Sequence, residues 1–334
     1  MINIVYASDD NYVPYLLVSL NSLFENNNQI KLNIFILSNE ISDNNQNQIK
    51  KLSSKYSNVH VFFIELKNII NKIQFDNSNE LLDINLTSYC RLFMEELLPK
   101  NISKIIYFDC DSLIVSSLKE LWNIDISKYF CAGVLDPTPV YYKKIIGLNE
   151  NDIYINAGML LINLDKWREF NLSKKFLKFL EEHKHLNIHH DQGVINGVLK
   201  DEILVISPKF NYLGPFHGKD YKTTLKWYGV SYSFYDQNVM NEAQNNPVFI
   251  HFSGRSIERP WVSKENFYRK LYEYYVNSLD YDKNKIFKNT GTISLMGKLQ
   301  FYVSNNKYGY LFMKIVPKKI AVMLKNFVVY KQVK

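Results

Sequence analysis

The sequence predicts an α/β fold in which a parallel sheet is covered by helices, and three observations carry that expectation. Three short apolar runs alternate with two helix-period segments before residue 67, and such alternation builds parallel sheets. A chain of 334 residues, 46% of them hydrophobic, can bury one generous core or two unequal ones. The apolar run "KIIYFDCD" ends in two aspartates at the point where an open sheet presents ligands, outside the carboxyl ends of its strands.

The elements follow in order. Strand "INIVYAS" leads into a helix from about Tyr12 to Asn26, then strand "LNIFILS". A helix from about Ser42 to Tyr56, with Ser42 as its N-cap, precedes strand "VHVFFIEL". A helical segment "TSYCRLFMEELLP" stops at Pro99 and delivers the chain into "KIIYFDCD". Strand "FCAGVLD", the stretch "YINAGMLLINLDKW", a helix from about Asp165 to Glu182 and a short helix-like "DQGVINGVL" come next. Residues 209–247 read as aromatic, polar and loop-like. Strand "PVFIHFSG" and helix "KENFYRKLYEYYVNS" close the body near residue 280, so the expected division is a domain over 1–280 and a tail over 281–334.

Charge separates those two parts. Residues 283–334 hold eleven lysines and no acidic residue, so the net +7 divides into +11 there and −4 over the first 282 residues. Interleaved with Phe301, Tyr302, Tyr310, Phe312 and Phe327, those lysines suit an anionic membrane surface. A solvated or partner-binding tail is the plainer reading; nucleic acid is disfavoured, because no RNA-binding signature accompanies the charge. No basic leader with an apolar stretch stands at the N-terminus, and no apolar run reaches the roughly 18 residues of a spanning helix. Cys90, Cys110 and Cys131 are an odd count without metal-like spacing, which favours a reducing compartment. The expected location is cytoplasmic, peripheral on the inner face of a bacterial plasma membrane.

"FDCDS" allows three chemistries. The pair can be a turn at a strand end, an aspartate nucleophile of the haloacid-dehalogenase phosphatase kind with Asp109 attacking, or a divalent-cation bridge to a diphosphate. The local pattern does not choose among them.

Five blocks in one order do choose. "VYASDDNYVPYLLVSLNSL", "SYCRLFMEELLP", "IIYFDCDSLIVSSLKELWNIDI", "YINAGMLLINLDKWR" with "HHDQGVINGVL", and "IHFSGRSIERPW" resemble the retaining glycosyltransferases of family 8, the group containing bacterial lipopolysaccharide galactosyl- and glucosyltransferases and glycogenin. The resemblance runs from Ile2 to about Trp261. It implies a GT-A fold, a Rossmann-like sheet that binds a nucleotide sugar, with a more variable acceptor side.

It also implies roles, each beside a plainer alternative. Asp9 and Asn11 would bond a uracil and its ribose and Tyr12 would stack on it, although Asp9 or Asp10 would also serve as an N-cap. Asp109, Asp111 and His251 would ligate a metal. One imidazole among carboxylate and phosphate oxygens suits Mn2+, with Mg2+ as the alternative. Arg91 would face the donor sugar and its phosphate rather than pair with Glu95 four residues on. Asn156 and Asp191 would bond sugar hydroxyls, and Gln192 would lie against the reacting carbon, leaving Asp191 and Gln192 as the catalytic candidates. Glycines beside these residues let a ligand approach the backbone. His189 and His190 have no second ligand at zinc spacing.

The sequence departs from the family in "HFSGRSIERPW", where two residues are inserted. Gly254 would offer its amide to the diphosphate, and either Arg255 or Arg259 would clamp the phosphates, with Arg259 preferred for its place beside Pro260 and Trp261. The reaction the resemblance implies is transfer of galactose or glucose from a UDP-sugar to a hydroxyl of a glycan acceptor (lipopolysaccharide, capsule or glycoprotein) with retention. A front-face path is preferred over a covalent sugar on Asp191. A non-catalytic membrane- or partner-binding module is the remaining alternative.

Overall fold

The computed structural model describes residues 1–66, 86–184, 186, 188–254 and 258–287. The first half follows the expected alternation: β1 (Ile2–Asp9), α1 (Val13–Asn26), β2 (Leu32–Asn39), α2 (Asp43–Ser53) and β3 (Val59–Glu65). Ser42 caps α2, its side chain accepting the Asn45 N–H. Pro14 sits in the first turn of α1, where its missing N–H removes no helical bond.

"TSYCRLFMEELLP" is not one α-helix. It forms a 3₁₀ turn over Leu86–Phe93 and a short α3 (Met94–Leu97). The Arg91 side chain donates from Nε to the Ser88 carbonyl at 3.0 Å, competing for an oxygen the backbone ladder would use. β4 (Lys104–Phe108), β5 (Ser112–Ile114), α4 (Lys119–Trp122), β6 (Cys131–Gly133), α5 (Val140–Ile145) and β7 (Met159–Asn163) follow.

The helix expected over Asp165–Glu182 is broken into α6 (Leu164–Glu169) and α7 (Leu172–Glu182). Asn171 between them takes a left-handed φ of 49°. The Glu95 carboxylate then accepts the N–H groups of Leu172 and Ser173 at 3.1 and 3.0 Å and starts the new helix. After α8 (His190–Leu199) and β8 (Ile203–Val205), the stretch read as loop holds β9 (Tyr212–Leu213), α9 (Tyr221–Tyr228) and α10 (Gln237–Asn245). Its aromatic residues belong to the packing. β10 (Phe249–His251), α11 (Arg269–Asn277) and α12 (Lys283–Ile286) complete the described chain.

The main sheet has seven strands in the order β3-β2-β1-β4-β7-β6-β8, and a smaller sheet has the order β5-β10-β9. The sheet is mixed rather than parallel, because β7 runs antiparallel to both β4 and β6. That reversal has a local consequence. Phe108 pairs with Met159, so the start of β7 lies beside the exit of β4, and the Asp109 N–H donates to the Gly158 carbonyl at 2.8 Å.

Strand periodicity divides the interior into two cores. Ile4, Tyr6, Ile106 and Phe108 enter one, with α1 and the small sheet. Val5, Phe35, Ile105 and Tyr107 enter the other, with α6, α7 and α8. Both faces are covered, so the strands read as continuous apolar runs. Twelve residues of α1 are buried, which places it between the two sheets and requires its polar side chains to find partners. They do: Ser19 Oγ lies 2.9 Å from Ser112 Oγ, and Ser22 Oγ accepts the Ile114 N–H at 2.9 Å.

Ile286 in α12 is fully buried in the first core, with Phe287 packed beside it, so residues 281–287 pack on the body. The rest of the lysine-rich tail lies outside the described residues. Among the described residues no helix is long and apolar enough to cross a membrane.

Candidate active site

β4 and β5 place the two aspartates by parity. Tyr107 and Asp109 fall on one side of the chain and Phe108 and Cys110 on the other, so one intervening residue returns Asp111 toward Asp109. Cys110 fills the space between: it is buried, and burial together with the flanking carboxylates pushes its thiol well above the ordinary range. A thiol held protonated is a spacer and not a reagent.

His251 arrives from 140 positions downstream through the small sheet. β10 pairs antiparallel with β5 in a register that sets His251 opposite Ser112. Its Nε2 lies 3.3 Å from Asp111 Oδ1 and 3.6 Å from Asp109 Oδ2. Ligand atoms of Asp109, Asp111 and His251 all fall within 4.8 Å of one another. Two hard carboxylates and one imidazole in that space fit a divalent cation.

Gly158 makes this approach possible. A Cβ built there would meet His251 Cε1 at 2.0 Å. The close approach that glycine allows is therefore that of the protein's own imidazole.

Arg91 is the hub of the site. Its guanidinium donates to the Ala157 carbonyl at 2.7 Å and to Asp109 Oδ1 at 2.8 Å, and Nε lies 3.0 Å from Asp191 Oδ2. Burial pulls its pKa down, but Asp109 and Asp191 outweigh that and hold the charge on firmly. It does not pair with Glu95. Asp191, in the first turn of α8, is pushed upward by burial, which Arg91 only partly offsets.

Arg259 takes the other carboxylate. It lies 3.1 Å from Asp111 Oδ2 and donates to the Tyr12 hydroxyl at 3.1 Å. Burial would raise Asp111, yet Arg259 and His251 together hold it well below the usual carboxylate range. Arg259 Nε is buried without a hydrogen-bond partner among the described residues, a donor suited to an incoming anion.

Asp9, Tyr12, Arg91, Asp109, Asp111 and Arg259 line one cavity of about 180 Å³, joined by Thr87 and Ser88. Asp9 Oδ1 also accepts the Tyr12 N–H at 3.0 Å, and Asp10 accepts the Ser42 N–H at 2.8 Å, but the N-cap of α1 is Tyr12 without a side-chain bond, so neither aspartate caps that helix. Asn11 is exposed in the turn before α1, and neither it nor Gly254 lines this cavity. Gly254 adopts a φ of 109°, a backbone conformation that glycine reaches without strain. Arg255 lies outside the described residues.

Asn156 and Gln192 form a second cluster, joined to His251 through Asn211. Asn156 Nδ2 donates to Gln192 Oε1 at 3.1 Å and to Asp136 Oδ2 at 2.9 Å. Gln192 Oε1 also accepts the Ala157 N–H at 3.1 Å, so its carbonyl carries two donors. His189 stacks on Tyr142 with ring centroids 4.8 Å apart, and its Nδ1 lies 3.0 Å from the Tyr154 hydroxyl.

Sequence reasoning missed Asp136, Gly158 as a seat for His251, and Asn211. Asp136 ends the apolar run "FCAGVL" as Asp109 ends "KIIYF", a signal that was present. The side chain of Asn211 meets Asn156 and His251, both distant in sequence, so no local pattern marks it.

The chain is similar to known proteins. A lipopolysaccharide 1,2-glucosyltransferase of Escherichia coli K12 is 25% identical over 78% of this chain and 72% of its own. General stress protein A of Bacillus subtilis is 27% identical over 83% of this chain and 93% of its own. A Haemophilus influenzae protein, named only as a glycosyltransferase, is 40% identical, and the match spans 63% of each chain. The solved galactosyltransferase LgtC, in complex with donor and acceptor sugar analogs, superposes with a TM-score of 0.66 over 84% of this chain and 97% of that one, at 25% identity. The fold is GT-A. The model for glycosyl transferase family 8 matches residues 3–265, and this chain belongs to that family.

Proposed function

We propose that this glycosyltransferase moves a hexose, galactose or glucose, from a UDP-sugar to a hydroxyl of a glycan acceptor with retention of configuration, using a divalent cation, Mn2+ or Mg2+. The observation that carries the reading is the convergence of Asp109, Asp111 and His251 beside the cavity that Asp9, Tyr12, Arg91 and Arg259 line. The sugar specificities of the relatives, a glucosyltransferase and a galactosyltransferase, support the hexose.

Breaking the bond between the anomeric carbon and the diphosphate builds negative charge on the leaving oxygen. A cation held by Asp109, Asp111 and His251 would supply Lewis acidity to that diphosphate. Arg259, with its unpartnered Nε, binds the phosphate oxygens, and Arg91 keeps Asp109 and Asp191 oriented. Asp9 and Tyr12 seat the nucleoside, with Asn11 beside them and Gly254 offering its amide.

Asp191 is a poor nucleophile in this setting, since its carboxylate is buried against Arg91. Gln192, whose carbonyl carries two N–H donors, is no better. A front-face path fits: the acceptor oxygen bonds to the anomeric carbon on the side the diphosphate leaves, and the acceptor proton passes to that diphosphate. Asn156 and Asp191 bond sugar hydroxyls.

The phosphatase alternative loses support, because Asp109 is held by Arg91 and by the Tyr107 hydroxyl at 3.0 Å. A non-catalytic module would not need to keep every one of these side chains in register. The lysine-rich residues 283–334 would attach the enzyme to an anionic membrane surface on the cytoplasmic side, near a lipid- or protein-linked acceptor.

A UDP-release assay across UDP-galactose, UDP-glucose and other UDP-sugars, with and without Mn2+, tests the reading. Slow metal-dependent hydrolysis of one hexose donor is expected even without acceptor. No release from any donor, or full activity after replacing Asp109 and Asp111 with Asn, overturns it. A covalent sugar on Asp191 found by mass spectrometry overturns the front-face path alone.

A further inference from the structure

Asn211 is fully buried immediately before β9, in a stretch without a functional motif. Its Oδ1 lies 3.2 Å from His251 Nδ1, and its Nδ2 donates to Asn156 Oδ1 at 3.0 Å. We propose that Asn211 is a positioning residue that holds a proton on His251 Nδ1, so that Nε2, which faces Asp109 and Asp111, is the ring nitrogen a cation would take. The inference rests on the reading that these three residues hold a metal.

The tautomer follows from a chain of donors and acceptors that begins at a group with no freedom. The Gly158 backbone N–H can only donate, and it points at Asn156 Oδ1 at 3.0 Å. That oxygen is therefore the acceptor end of the Asn156 amide, and the NH2 end faces Gln192 Oε1 and the Asp136 carboxylate, both acceptors. The Asn211 atom that meets Asn156 Oδ1 must then be its NH2. Its carbonyl oxygen is left to face His251 Nδ1, and only a protonated Nδ1 satisfies a carbonyl there. Each amide orientation is thus assigned by the network, starting from one backbone N–H.

Fixing the tautomer matters because a metal binds the unprotonated ring nitrogen. An imidazole free to place its proton on Nε2 would turn a donor toward the cation site. The outer partner of a ligating histidine typically changes metal affinity by about tenfold to a hundredfold when removed. Asn211 also joins the metal residues to Asn156 and Gln192, so imidazole and sugar-side amides share one buried lattice.

Long-range 1H–15N spectra of histidine-labelled, metal-free full-length protein should show Nδ1 of His251 protonated in the wild type. Asn211→Leu, which removes the acceptor, should release that preference and weaken Mn2+ binding in the presence of UDP by about tenfold to a hundredfold in calorimetry. Asn211→Asp, which keeps an oxygen toward Nδ1 but loses the donor to Asn156, should retain the Nδ1 proton and bind Mn2+ more tightly than the Leu variant. A side chain that only fills space would not separate the Leu and Asp variants this way. A wild-type His251 protonated on Nε2 alone overturns the inference even if the Leu variant does not fold. So does an Asn211→Leu protein with unchanged tautomer and affinity. Wild-type protein that shows the Nδ1–H tautomer yet binds no Mn2+ sinks the metal reading and leaves the tautomer assignment standing.

Discussion

Gly158 and His251 are in contact with no room to spare: a Cβ on Gly158 would lie 2.7 Å from the imidazole Nδ1 and 2.8 Å from Asp109 Oδ2. Gly158→Ala must therefore displace the side chain of His251 or Asp109. We expect donor hydrolysis to fall about a hundredfold, the effect of misplacing a reacting group by about an ångström, with far-ultraviolet circular dichroism unchanged. An alanine variant with wild-type kcat would show that His251 need not sit where it does.

Arg91 neutralises two carboxylates at once, the half-buried Asp109 and the buried Asp191. Arg91→Met leaves Asp191 charged and without its partner, a defect worth about 3–5 kcal/mol in urea unfolding. Adding Asp191→Asn in that background should recover a large part of the loss. Independent, additive effects of the two changes would mean the pair is not coupled.

His217 is buried, and burial drops its ring to about 3; the neutral ring donates from Nε2 to the Tyr212 carbonyl at 2.9 Å. The unfolded ring takes a proton below about pH 6.5, and the folded ring does not until about pH 3. The unfolded state therefore binds more protons in that window, and stability falls as pH drops through it, by at most about 1.4 kcal/mol per pH unit. Above pH 6.5 His217 contributes no slope. His217→Gln keeps a donor and cannot titrate, so unfolding curves from pH 7 to 4 should be flatter for the variant by that amount. Identical slopes would remove His217 as a source of acid sensitivity.

Ile286 is fully buried although it follows the residue where the basic segment begins. A chain ending at Phe287 should keep its unfolding midpoint and its sugar-nucleotide hydrolysis while losing sedimentation with anionic vesicles. One ending at Asp282 forfeits the Ile286 packing and should lose at least about 2 kcal/mol. Vesicle binding that survives the Phe287 truncation would separate membrane attachment from the lysines beyond it.

The sequence by itself determined what depends on neighbours along the chain. The alternation of apolar runs and helical segments, the Ser42 cap, the strand that stops at Asp109 and the return of Asp111 two residues later are all local consequences of period and turn chemistry. The resemblance of five ordered blocks added the family, and with it His251, Arg91 and Arg259. Tertiary structure decided the rest. The antiparallel course of β7 brings Gly158 beside Asp109, the β5–β10 register sets His251 opposite Ser112, and β9 delivers Asn211 to the back of that imidazole. Those pairings join segments separated by 40 to 140 positions, and what selects them is the burial of two apolar faces and the satisfaction of most enclosed donors. Neither is a property of any short stretch. Arg91 shows the difference most directly: a single helix there would offer Glu95 four positions on, yet Asp109 and Asp191, distant in sequence, are the charges that accompany it into the interior.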